Sequence, residues 1–111
     1  MLTTPKYKTN DVLTVKLVSG EEVIGYFVEE NETEIVLRKP LVPVPTGEGQ
    51  VGLAPFIMSS SYLREGNGNL PFNKQTVITT LPCSKDFKNA YTQQVSGLDF
   101  SAGQSNQGLI V

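Results

Sequence analysis

The chain has 111 residues, of which 39% are hydrophobic, so it fits a single domain with one sizeable core and leaves little room for a second domain. A formal net charge of -2 excludes the broad basic surface of typical nucleic-acid-binding proteins, and any contact with nucleic acid must therefore be local. A single cysteine and no histidine exclude an intramolecular disulfide and the common zinc sites.

The first part of the chain predicts three strands. Apolar and polar residues alternate over residues 12–18, which is the period of a half-buried strand. Residues 22–29 form a second predicted strand whose later half is apolar on both faces, so we expect it to be covered on both sides. Gly25 lies inside this strand and predicts a bulge, a sharp bend or the close approach of another chain. The third strand opens at Ile35 and is predicted to end at Arg38 or Lys39.

A proline-rich middle follows the third strand. Four prolines cannot donate to a central ladder, so this stretch is predicted to be a turn or an edge strand; they are Pro40, Pro43, Pro45 and Pro55. A fourth strand is predicted over residues 51–58. Residues 59–73 are rich in turn formers and predict a loop.

The last part of the chain predicts one more strand and one helix. The β-branched run 76–81 is the fifth predicted strand. Ser84 can cap a helix over residues 84–96, with Gly97 as its stop. Five strands followed by a helix predict a mainly β protein, either a small open antiparallel barrel or a strongly bent antiparallel sheet. We expect one domain over residues 1–98 and a flexible tail over 99–111.

No pattern in the sequence predicts catalysis, a cofactor or a metal site. The run "GEGQVG" has dinucleotide-binding spacing, but no strand-to-helix context surrounds it, and it is better interpreted as a hairpin tip. Four carboxylates near an exposed turn are typical of a solvated surface; they are Glu29, Glu30, Glu32 and Glu34. Cys83 has no histidine to activate it, so we predict that the protein is not an enzyme.

Two loop stretches pair an aromatic residue with a cation, as single-stranded nucleic-acid binding requires. They are Tyr62-Leu63-Arg64 and Phe72-Asn73-Lys74. The alternative is that these aromatic side chains fold over the ends of the barrel. The sequence contains no apolar run of signal-peptide or membrane-span length, so we expect a cytoplasmic protein with no membrane contact.

The stretch "VKLVSGEEVIGYFVEENETEIVL" resembles the first motif of the Sm-like (Lsm) family of ring-forming proteins. The matching frame consists of Val15, Leu17, Gly20, Gly25, Phe27, Ile35, Val36 and Leu37. The stretch "FNKQTVITTLP" is similar in shape to the second motif, a polar knuckle that leads into the last strand. The proline-rich middle and the helix after the last strand are also similar to small Sm-like proteins of marine phage genomes.

The resemblance implies an RNA-binding pocket built from two turns, but only part of that pocket is present. Thr33 stands at the position of the stacking residue, and Glu34 replaces the base-gripping asparagine with a carboxylate that repels phosphate. In the second knuckle Asn73, Lys74 and Gln75 keep one cation and hydrogen-bonding groups. The candidate RNA-binding residues are therefore Thr33, Asn73, Lys74 and Gln75.

The resemblance also implies that copies of the chain pair head to tail into a homo-oligomeric ring. Candidate interface residues are Val77 and Thr79 in the last strand and Phe56 and Ile57 in the fourth. Two functions stay open. In one, the ring binds single-stranded RNA at its pore; in the other, it is a protein-interaction or assembly module of phage type that keeps the frame without binding RNA.

Overall fold

The computed structural model describes residues 6–47, 49–57, 59 and 68–100, with residues 97–100 described by their backbone alone. Within these residues the chain is mainly β, with one C-terminal helix. The strands are β1 (Val12–Leu17), β2 (Glu22–Glu30), β3 (Glu34–Gly47), β4 (Gln50–Pro55), β5 (Asn69–Asn73) and β6 (Val77–Pro82). A 3₁₀ turn (Lys74–Thr76) joins β5 to β6, and the helix α1 covers Lys85–Phe100.

The strands form one antiparallel open sheet. Its order is β4-β3-β2-β1-β6, and β5 pairs with the first part of β3. The last strand therefore returns to the first, where Val15 lies opposite Thr80. Among the described residues β4, β5 and β6 each have a single strand partner, and β4 and β6 are the two ends of the sheet order.

Alternation along the strands separates two hydrophobic clusters on the two faces of the sheet. The inner cluster consists of Leu13, Val15, Leu17, Val23, Phe27, Ile35, Leu37 and Phe72. The outer cluster joins the opposite face to α1 and consists of Val12, Ile24, Leu41, Tyr91 and Val95. Neighbouring β2 residues such as Val23 and Ile24 enter different clusters. This confirms that β2 is covered on both sides.

Gly25 lies where β3 bulges. Ile24 is opposite Leu41 and Tyr26 is opposite Arg38, so a single β2 residue, Gly25, faces two residues of β3. One of the two, Lys39, has a φ of 54°, in the left-handed region. The predicted bend at Gly25 is thus a bulge in the partner strand, which curves the sheet over the inner cluster.

The predicted end of the third strand at Arg38 or Lys39 is wrong, because β3 continues to Gly47. The backbone N–H of Phe56 donates to the Pro40 carbonyl at 3.1 Å. Antiparallel pairing alternates, so Pro43 and Pro45 direct their nitrogens away from β4. Pairing with β2 ends at Leu41, and these two prolines therefore lie in an edge strand, one of the two predicted alternatives.

The fourth predicted strand ends early and a further strand was missed. β4 ends at Pro55, whereas the prediction extended to residue 58, which lies outside the described residues. Residues 69–73, predicted to be loop, form β5, and Phe72 enters the inner cluster. The predicted fifth strand is therefore β6, the sixth strand of the described residues.

The helix begins where the sequence predicts. The Phe87 N–H donates to Ser84 Oγ at 3.3 Å, which is an N-terminal cap, and Tyr91 and Val95 are buried against the sheet. The predicted stop at Gly97 is wrong, since α1 continues to Phe100. Residues 101–111, most of the predicted tail, lie outside the described residues.

Candidate functional site

Two turns lie side by side at one end of the sheet. One joins β2 to β3 over residues 31–34, and the other covers residues 73–76 between β5 and β6. The Lys74 N–H donates to the Thr33 carbonyl at 2.8 Å, and Glu34 lies opposite Asn73 in the β3–β5 pairing. We call residues 31–34 and 73–76 the paired-turn surface.

The first turn is held by the side chain of Asn31. Its Oδ1 accepts the N–H groups of Thr33 at 2.8 Å and of Glu34 at 2.9 Å. The Thr33 hydroxyl also donates to this oxygen at 3.2 Å. Asparagine favours turns because its side chain can replace a backbone acceptor in this way. The Thr33 hydroxyl is therefore engaged within its own turn.

The second turn is held in a similar way by Asn73. Its Oδ1 accepts the Gln75 N–H at 2.8 Å, and its carbonyl accepts the Thr76 hydroxyl at 2.7 Å. The structure thus brings together the four candidate RNA-binding residues. Thr33 precedes the consecutive residues Asn73, Lys74 and Gln75 by 40 or more positions in the sequence. The structure also shows that the oxygens of Asn73 stabilise the turn itself.

The charge of this surface is dominated by carboxylates. The Lys74 ammonium lies 2.7 Å from Glu30 Oε2, with the two side chains 35% and 39% exposed. Both groups remain in contact with water, so the pair stabilises the fold little, about 0–1 kcal/mol. The larger effect of the pair is that the Lys74 ammonium already has an anionic partner. Three further glutamates lie in or beside the first turn: Glu29, Glu32 and Glu34.

The paired-turn surface also lacks a stacking residue. Residues 31–34 and 73–76 contain no aromatic side chain. Phe72, which the sequence placed beside Lys74 as a candidate, is 6% exposed and packs on Phe56 with ring centroids 5.3 Å apart. Tyr62, the other candidate, lies outside the described residues. For Phe72 the structure favours the alternative of a folded-in aromatic side chain, since its ring is buried in the inner cluster of the sheet.

The candidate interface residues lie on or beside the sheet edges. Thr79 of β6 is exposed, whereas Val77 is half-buried and packs against the inner cluster. Phe56 and Ile57 follow β4 and are half-buried, with Phe56 turned onto Phe72. The four residues therefore offer different amounts of surface to a partner.

Three exposed apolar side chains on the edge strands were missed by the sequence-based reasoning. They are Val51 in β4 and Ile78 and Leu81 in β6. The sequence carried a signal for them. A short edge strand that alternates should place polar residues at exposed positions, and these positions hold apolar ones.

Comparison with protein-family models and with curated proteins found no match to this sequence. Among the described residues, no helix combines the length and apolar character needed to cross a membrane. Within the same residues, no group of three or more cysteine, aspartate or glutamate side chains is placed to hold a metal ion.

Proposed function

We propose that the protein is an Sm-like assembly module whose copies join head to tail into a homo-oligomeric ring. In this proposal β6 of one copy pairs with the β4 edge of the next, and the assembled ring binds a protein partner and not RNA. The observation that carries the proposal is a single antiparallel open sheet whose end strands, β4 and β6, each have one strand partner among the described residues. A contact between two different edges repeats from copy to copy and can close into a ring.

The composition of the edge strands supports self-pairing. Natural proteins protect edge strands with charged side chains, yet neither "QVGLAP" in β4 nor "VITTLP" in β6 contains a charge. Both strands instead expose apolar side chains, namely Val51, Ile78 and Leu81. Burying such side chains between copies would stabilise the contact by about 25 cal/mol per Å² of apolar surface.

The arrangement of the strands supports the Sm-like part of the proposal. A polar knuckle leads into the last strand, and its 3₁₀ turn lies against the turn between β2 and β3. The resemblance to the Sm-like family implies that these two turns lie next to each other. In this proposal the protein keeps the Sm-like arrangement of strands, but its paired-turn surface does not bind RNA. Lys74 is paired with Glu30, and residues 31–34 and 73–76 include no aromatic side chain.

Light scattering after size-exclusion chromatography tests the ring. We expect a discrete mass that is a multiple of 12.1 kDa at tens of micromolar protein. Leu81→Lys places a charge on the edge strand and should raise the dissociation constant tenfold or more, as about 1.4 kcal/mol or more implies. Val18→Lys is the matched control: Val18 is 62% exposed, close to the 56% of Leu81, but lies outside the edge strands. A monomer at all concentrations would refute the proposal.

Single-stranded RNA binding is the second candidate, favoured by the contact between Lys74 and Thr33 that brings the four candidate residues together. Filter binding of short U-rich and A-rich RNAs at low salt separates the candidates. If the surface binds RNA, Lys74→Ala should abolish binding, and Glu30→Gln should strengthen it by releasing the ammonium. If the protein is an assembly module without RNA, neither variant changes a signal that is absent in the wild type.

A further inference from the structure

The free side of β4 is covered at one point by the helix. Antiparallel alternation, fixed by the Phe56 N–H donating to the Pro40 carbonyl, turns the backbone groups of Ala54 toward β3 and those of Leu53 away from it. The outward Leu53 carbonyl accepts Gln94 Nε2 of α1 at 2.9 Å. A helix side chain therefore occupies an acceptor that an added strand would use.

The free side of β6 has the same feature. The Cys83 N–H donates to the Val12 carbonyl at 3.1 Å, which turns Leu81 toward β1 and Thr80 away. The outward Thr80 carbonyl accepts the Tyr7 hydroxyl at 3.1 Å. Each edge thus has one outward carbonyl bound by a side chain from outside the sheet.

Both side chains are held in place by packing. The Tyr7 ring is half-buried and contacts the Phe27 ring, with centroids 6.1 Å apart. Gln94 is half-buried on α1 between Tyr91 and Val95, both of which are buried against the sheet. The Tyr7 hydroxyl therefore cannot leave the Thr80 carbonyl without loss of ring packing, and the Gln94 amide is carried by a helix whose buried residues fix it on the sheet.

We infer that Tyr7 and Gln94 are edge caps that limit self-association of this protein. A strand from a second copy must displace the Tyr7 hydroxyl at β6 or the Gln94 amide at β4 before it can bond to these carbonyls. The inference rests on the proposed edge-to-edge assembly and adds its regulation. Covering an edge is one way in which proteins prevent uncontrolled strand pairing, and two weak caps lower the affinity of the contact without abolishing it.

Near-isosteric variants test the caps. Tyr7→Phe removes one hydroxyl, and Gln94→Met removes the amide while keeping the length of the side chain. A neutral hydrogen bond contributes about as much as a fivefold change in an equilibrium constant. We therefore expect each variant to lower the dissociation constant of self-association about fivefold, and the double variant about 25-fold, in sedimentation equilibrium.

Two matched controls separate the caps from general surface effects. Tyr26→Phe removes a hydroxyl at another half-buried tyrosine, and Gln93→Met changes the neighbouring glutamine of α1. Both controls should stay within twofold of the wild type. Circular dichroism and urea unfolding establish that every variant is folded. Folded Tyr7→Phe and Gln94→Met proteins that associate as the wild type does, or more weakly, would overturn the inference.

The outcomes also distinguish the caps from the proposed assembly. A wild type that assembles, is blocked by Leu81→Lys and does not respond to the cap variants refutes the caps alone. A monomeric wild type with a double variant that assembles through Leu81 supports the caps and refutes the wild-type ring. If neither protein assembles at any concentration, both inferences are overturned.

Discussion

Replacing Gly25 by alanine should destabilise the fold through a contact that has no room to adjust. A Cβ atom at this position would lie 3.1 Å from the Leu37 Cβ and 3.3 Å from the Arg38 carbonyl oxygen. Leu37 is fully buried, and the Arg38 carbonyl accepts the hydroxyl of buried Tyr91 at 2.9 Å. Both neighbours are therefore fixed by their own contacts.

The expected magnitude follows from two opposing effects. Overpacking a core position costs about 1–3 kcal/mol. The loss of glycine's freedom in the unfolded chain offsets about 0.5–1 kcal/mol of this cost. Gly25→Ala should therefore lower the free energy of unfolding by about 1 kcal/mol at the middle of both ranges, and by about 2.5 kcal/mol at most. Gly25→Val adds two further methyl groups at the same place and should cost about 3 kcal/mol or more.

Urea unfolding followed by circular dichroism measures the effect as a lower midpoint at an unchanged slope. Gly52→Ala is an informative control because its Cβ would lie closer to a neighbour, 2.7 Å from Thr46 Cγ2. Thr46 is exposed and its side chain can rotate away, so this variant should cost less than about 0.5 kcal/mol. If Gly52→Ala destabilises the protein more than Gly25→Ala does, the reasoning from fixed neighbours is wrong.

Three further variants test the contacts of the helix and of the turns. Tyr91→Phe removes the hydroxyl that lies 2.9 and 2.8 Å from two carbonyls of the β3 bulge, and urea unfolding should show a loss of about 1–3 kcal/mol. Asn31→Ala removes the acceptor of two backbone N–H groups in an exposed turn, so the same measurement should show a loss of about 1 kcal/mol. Lys74→Met breaks a half-exposed ion pair, and a loss above about 1 kcal/mol would contradict the assignment of this pair as a weak surface interaction.

The sequence predicted those elements whose pattern is local. β1, β2 and the start of α1 lie where alternation, the Ser19-Gly20 turn and the Ser84 cap placed them. Each of these signals depends on neighbours within one strand or one helical turn. An irregularity at Gly25 was also predictable, because a glycine inside a strand marks a bulge, a bend or a close approach, but the sequence did not show that the bulge lies in β3.

The length of β3 could not be predicted because the rule for proline depends on direction as well as on position. Pro43 and Pro45 are compatible with the β3–β4 ladder because their nitrogens point away from β4. This direction is set by the pairing register with β4, which lies beyond the hairpin in the sequence. The strand β5 could not be predicted for the same reason, because it contains Pro71. The Lys39 N–H donates to the Gly68 carbonyl, so alternation turns the nitrogen of Pro71 away from β3.

The contacts made by the candidate site residues could not be predicted from a local sequence pattern either. Lys74 and Glu30 are 44 residues apart, and nothing near either residue indicates that they meet. The structure places the two turns side by side, with the Lys74 N–H donating to the Thr33 carbonyl. The ion pair, the buried ring of Phe72 and the contacts of Tyr7 and Gln94 arise from tertiary packing, which only the folded chain defines.

The charge of the paired-turn surface sets the two proposed functions against each other. Four glutamates against one lysine leave about three negative charges at this end of each copy. If copies join into the proposed ring through the uncharged edge strands, each added copy repeats this charge, so assembly would multiply a field that repels phosphate. In the proposed ring the repeated negative charge would therefore work against RNA binding at this surface. RNA binding that depends on the surface should weaken as copies join, whereas a ring that binds a protein partner gains from every added copy.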